Sequence, residues 1–263
     1  MILGGLATLA LSLAAGSWQL RLCLILLPAV AFVAMSMTLD YPQTERVTSN
    51  VPASEMWREA VRPLFILLFV CMWMTAAVEL GPDQWFPTVM GALVPQLSPT
   101  AGSGVGFLVY TAGLMFVLRM WGGAVTHKSP LGTLIFSSIL AALGLYWLGG
   151  LQPGASAVLA ITAATVFGIG KTFFWPTMVG VTAELFPRGG ALLMSLIGAA
   201  GMTSASVITP IMGQRIDAGG PGAALQSVAM LGVILTAIFT GIWLYFRARG
   251  GYRAVHVSTV RSE

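Results

Sequence analysis

Charge is scarce in this chain. Only 8% of its 263 residues are Asp, Glu, Lys or Arg, whereas about a quarter are charged in a soluble domain. That deficit excludes an ordinary water-soluble globule. Cysteine is nearly absent, and Cys23 and Cys71 each stand in an apolar run without a CxxC partner or a neighbouring histidine. A disulfide framework and a zinc site are thereby excluded. His127 and His256 are the only histidines, and no HExxH or GxSxG occurs. An enzyme would need a nucleophile with its base, or a metal cluster, and the sequence offers neither. No catalytic residue, metal or cofactor is expected.

Basic residues exceed acidic ones, 13 to 9, giving a formal net charge of +4. They do not cluster on one polar face, so no nucleic-acid partner is implied. The string Gly168-Ile169-Gly170-Lys171-Thr172 resembles a phosphate loop, but Thr165 stands where GxxxxGK(S/T) requires its first glycine. It also lies inside an apolar run, with no strand leading into a helix.

What the chain has in quantity is apolar sequence: 57% of residues are hydrophobic and the mean hydropathy is +0.86. Each long apolar run can cross a hydrocarbon core of about 30 Å as a helix. Hydropathy predicts an all-α, polytopic membrane bundle of about eight spans, at 2–16, 20–37, 63–81, 103–125, 131–150, 154–182, 191–213 and 222–246. The first run has no basic residue ahead of it, so it reads as a span rather than a cleaved signal.

Lys and Arg in the connections set the orientation. Arg46, Arg58, Arg62, Lys128, Arg188, Arg247, Arg249, Arg253 and Arg261 fall in one set of alternate connections, and only Arg21 and Arg215 in the other. Loop 38–62 and tail 247–263 are expected in the cytoplasm, with both termini inside and the spans in the cell membrane. Within the loop, Ser54 as N-cap, early acids and Arg62 before Pro63 predict a short surface helix. It serves as a tether or as a regulatory element.

Small residues recur every four positions at Ala191, Ser195, Ala199 and Thr203, and at Ala160, Ala164 and Gly168. Such stripes predict close helix contacts in lipid. Three charged residues fall inside spans, away from their first turn: Glu79, Arg119 and Lys171. Each costs about 2.5 to 3.5 kcal/mol to insert at the membrane centre, which makes it a candidate functional group. At about 1.5 Å per residue from the cytoplasmic helix ends, Glu79 lies roughly 24 Å deep and Lys171 roughly 18 Å deep. The two are expected to meet or to share a wet cavity. Arg119, about 9 Å deep, is expected to snorkel to the surface as a structural residue.

Trp73, Gln84, Trp85, Phe173, Phe174, Trp175 and Pro176 surround these charges in the sequence. Rings, an amide and opposite charges suit a polar, ring-shaped solute such as a sugar, and Trp85 reads equally as an interfacial anchor. Pro176 removes one helix hydrogen bond and is expected to kink its helix about one turn from Lys171. With Gly168 and Gly170 it would form a gate.

The run Trp175-Pro176-Thr177-Met178 through Glu184-Leu185-Phe186-Pro187-Arg188-Gly189-Gly190-Ala191 to Pro210-Ile211-Met212-Gly213 resembles the C-terminal half of a major facilitator superfamily transporter. Thr75-Ala76-Ala77-Val78-Glu79-Leu80-Gly81-Pro82-Asp83-Gln84-Trp85 is similar to the seventh helix of its fucose and hexose permease-like group. The resemblance implies a partial superfamily fold. Residues 1–37 would be the last two helices of the N-terminal half, 38–62 the central loop and 63–246 a six-helix transport domain. The first four helices would be missing, so that further helices or another chain would complete the cavity. Helices seven and ten would put Glu79 and Lys171 on the substrate side. Arg119, Gly122, Gly123 and Lys128 would fall in the glycine-rich loop between helices eight and nine, though without its usual aspartate. Glu184 and Arg188 would belong to the later cytoplasmic motif.

The expected function is secondary transport of a small polar organic solute, sugar-like, by alternating access, with Glu79 as the group that couples it to protons. Export of drugs or lipophilic solutes, and a non-transporting fragment, are the alternatives.

Overall fold

In lipid a segment must close its own backbone hydrogen bonds, and helices do so. The computed structural model describes residues 19, 23, 26–40, 51–94 and 103–255, and these are helical, with no strand among them. The helices are α1 (Leu26–Thr38), α2 (Ala53–Ala60), α3 (Pro63–Leu93), α4 (Ser103–Lys128), α5 (Pro130–Gly149), α6 (Ala157–Thr172), α7 (Phe174–Leu185) and α8 (Gly190–Ala248). A 3-10 turn, Pro187–Gly189, precedes α8. Five stretches are long and apolar enough to cross a membrane: α3, α4, α5, α6 with α7, and the turn with α8. The chain is a multi-pass integral membrane protein.

Several expected segments take a different form. The span 2–16 lies outside the described residues. Span 20–37 is seen as α1, a 13-residue helix that buries none of its residues. The span expected to end at Gly81 runs on as α3 through Pro82 and Pro87 to Leu93. Proline is tolerated inside a membrane helix because neighbouring groups satisfy the carbonyl it leaves free. The last two expected spans form one helix of 59 residues, interrupted at Gly220 (φ 81°, ψ 173°). That conformation is open essentially to glycine alone, and Pro221 after it disfavours the helical conformation at Gly220. The loop helix begins at Ala53 with Pro52 at its N-cap, not at Ser54, because the fixed proline φ (−71°) sets up the first turn.

The core runs from Phe65 on α3 to Ile242 on α8. The first leg of α8 packs on α3: a Cβ on Gly81 would sit 3.1 Å from Ile208 and 3.0 Å from Met212. The second leg packs on α5, where Thr236 Oγ1 donates to Ser138 Oγ at 2.9 Å and Gly232 faces Ala142. Helices α5 and α6 touch backbone to backbone, Gly144 against Phe167 and Gly170 against Ala141. The stripe Ala160, Ala164, Gly168 is buried. The stripe Ala191, Ser195, Ala199, Thr203 is exposed, so it meets no described helix; a period of four identifies a face but not its partner.

Candidate functional site

Helix α3 carries Glu79 and Asp83 four residues apart, hence on one face. Both are buried, with 7% and 9% of their surface exposed, and Lys171 of α6 is 1% exposed. The Lys171 ammonium donates to Asp83 Oδ1 at 2.5 Å and Oδ2 at 2.7 Å, and lies 5.2 Å from the centroid of the Phe167 ring. The partner of Lys171 is therefore Asp83, not Glu79. The uninterrupted course of α3 through Pro82 brings Asp83, one turn further along, to the ammonium. Removing either charge would leave the other buried and unpaired, a strongly unfavourable state.

Glu79 pairs instead with Arg119 of α4, Oε1 to Nη2 at 3.8 Å. Its Oε2 is buried and has no hydrogen-bond partner among the described residues. The charges that act on Glu79 are Lys171, Asp83 and Arg119, so two acids and two bases from three helices form one cluster of zero formal charge. Arg119 is exposed, as expected, and is also engaged with a second helix. Its side chain, 40% exposed, reaches across to α6, where Nε donates to the carbonyl of Thr172 at 2.8 Å.

That carbonyl is available for a local reason. The amide of residue 176 would bond the carbonyl of residue 172 in a continuous helix, and Pro176 has no N–H. The chain breaks at Phe173 (φ −102°, ψ 0°), three residues before the expected kink, and Pro176 falls in the first turn of α7, where a missing N–H costs nothing. Arg119 takes the freed carbonyl. Gly122, one turn further on the same face of α4, leaves room for the Phe173 ring, which a Cβ there would overlap. The segment Arg119 to Lys128 is thus a continuation of α4, not a glycine-rich loop, and a Cβ on Gly123 would meet nothing within 4 Å.

Gly168 and Gly170 lie inside the regular part of α6. Gly168 faces Leu114 and Thr111 of α4, and Gly170 faces Ala141 of α5. They are contact positions, and the bend lies beyond them. Trp175 is half-buried against Gly201, Trp73 is half-buried, and Gln84 is exposed. Trp85 packs α3 onto α8: its Nε1 donates to the Thr209 carbonyl at 3.0 Å and its ring faces Gly213.

No protein-family model matches the chain, and no curated protein matches it. The site therefore rests on its own geometry.

At the opposite end of these helices, Lys128 and Glu184 lie with Arg247 around one pocket. Arg188 approaches Glu55 of α2, Nη1 to Oε2 at 3.8 Å. Beside it on α2, burial raises the pKa of Glu59 against the opposing pull of Arg62 and Arg188. Sequence reasoning did not single out Asp83. The signal was an acid four residues after Glu79, hidden because Gly81-Pro82 reads as a helix stop.

Proposed function

We propose that the chain is part of a secondary transporter of the major facilitator type that moves a small polar organic solute, sugar-like in its hydroxyls and apolar faces. The observation that carries this reading is the buried Asp83–Lys171 pair with Glu79 and Arg119 beside it. Charges at this depth are costly in lipid and are retained where they line a solute or ion path. Counted as one pass on either side of its bend at Gly220, α8 would bring the five long stretches to six passes, the number in one half of such a carrier. The exposed stripe from Ala191 to Thr203 gives a second half a close-packing face.

Lys128, Glu184 and Arg247 meet at one pocket, which supports placing the basic connections on one face, the cytoplasmic face of the cell membrane. Protons are the coupling ion of this reading. Glu79, with one oxygen unbonded, receives the proton, and Arg119 answers its charge when the proton leaves. The break at Phe173 lets α7 tilt against α6 as the cavity changes side.

Uptake by proteoliposomes carrying the chain with a related N-terminal half tests the reading against a panel of sugars and lipophilic cations. Sugar accumulation driven by an imposed proton gradient is expected, and Glu79→Gln is expected to abolish accumulation while sparing exchange. Gradient-driven accumulation that survives Glu79→Gln removes Glu79 from coupling. Movement of the cations alone replaces sugar transport by drug export.

A further inference from the structure

A pocket of about 420 Å³ opens where the C-terminus of α4, the start of α5, the end of α7 and the last turn of α8 converge. All four are helix ends, so the pocket lies at one boundary of the membrane, at head-group depth. Lys128 and Arg247 reach it from different helices, and neither is ion-paired among the described residues. Among the described residues of the lining Glu184 is the one acid, leaving them with a formal charge of +1. Its carboxylate is already occupied, accepting from the Tyr252 hydroxyl at 2.6 Å.

The other walls suit an amphipathic anion. The Arg247 guanidinium lies 4.9 Å from the centroid of the Trp243 ring, which holds its fork of donors in one orientation. Ser129 and Leu131 bring the N-terminus of the 20-residue helix α5 to the pocket. Pro130 there has no N–H, and the next amides carry the positive end of the helix dipole. Trp243, Phe246 and Leu131 supply an apolar floor on the membrane side.

We propose that this pocket binds the phosphate group of an anionic membrane lipid, with Lys128 and Arg247 as its charge partners. A guanidinium fork and an ammonium match a phosphate, and basic pockets between helix ends are suited to anionic head groups. The apolar floor favours a phosphate attached to acyl chains over a free one.

The test is native mass spectrometry of the full chain released from mixed phosphatidylglycerol and phosphatidylcholine membranes, with Lys128→Gln, Arg247→Gln and Arg249→Gln. Arg249 stacks on Tyr245 outside the pocket and is the control. Preferential retention of one phosphatidylglycerol is expected, falling about fivefold for each pocket cation removed and unchanged in Arg249→Gln. Displacement by millimolar inorganic phosphate would assign the site to the phosphate group irrespective of its chains. Equal retention of both lipids, or an equal loss in all three variants, overturns the proposal. A measurement on the unaltered protein guards against misfolded variants: chain-brominated phosphatidylglycerol should quench tryptophan emission more than brominated phosphatidylcholine, and Trp243→Phe should remove the difference. No difference in the unaltered protein also overturns it.

Discussion

The side chain of Arg119 caps the carbonyl of Thr172 at 2.8 Å, the oxygen that Pro176 cannot bond. One guanidinium thus answers both a break in a helix and, at 3.8 Å, the carboxylate of Glu79. Arg119→Ala is expected to destabilise the protein by about 1 to 3 kcal/mol. In the Pro176→Ala background the cost should shrink by at least about 0.5 kcal/mol, since a backbone amide then competes for the same carbonyl. Unfolding by a denaturing detergent, run as a double-mutant cycle, measures the coupling. Strict additivity would separate the arginine from the break.

The Asp83–Lys171 pair should show the asymmetry of buried charges. Asp83→Asn and Lys171→Gln each leave one charge without its partner and are expected to cost about 3 to 5 kcal/mol. The double variant should be more stable than either single one. Thermal unfolding in detergent of all four proteins checks this, and a double variant no better than the singles would mean the pair is not isolated in the core.

Close backbone contact makes a specific demand at Gly170, where a Cβ would overlap Ala141 of α5. Gly170→Ala is expected to cost about 1 to 3 kcal/mol by forcing α5 and α6 apart. Gly180, on α7, has no neighbour within 4 Å of that position, and Gly180→Ala should be neutral or stabilising by up to about 1 kcal/mol. Similar losses at both sites would show a general glycine effect in place of a contact.

Glu59 on α2 is buried, and burial raises its pKa. A carboxyl whose pKa is higher folded than unfolded contributes stability below its ordinary pKa and loses it as pH rises through the folded value. Glu59→Gln is therefore expected to hold α2 more firmly than the unaltered protein at neutral pH, and equally near pH 4. Hydrogen exchange of amides 53–60 across that range measures it. A variant that holds α2 less firmly than the unaltered protein at neutral pH, with the gap closing near pH 4, would reverse the sign and make the Arg62 contact, 3.0 Å away, the dominant influence.

The helices were legible because apolar runs are a one-dimensional signal. Pairing was not. Counting residues brought Glu79 and Lys171 to neighbouring heights, but Asp83 became the partner only because α3 ignores Gly81-Pro82, and that depends on neighbours satisfying the freed carbonyls. Arg119 illustrates the same limit, since depth predicts a route to water and says nothing of a bare carbonyl on the next helix. The bend moved from Trp175-Pro176 to Phe173 because a proline strains the turn before it. The stripe at Ala191 shows that periodicity finds a face without naming what covers it.

Tyr252 and Val255 hold Glu184 twice, the hydroxyl on its carboxylate at 2.6 Å and the amide of Val255 on its carbonyl at 2.9 Å. Both follow α8 in the chain, so they leave the ribosome only after the whole of α3 to α8 has been made. During synthesis the end of α7 is unfastened, and this knot is tied last.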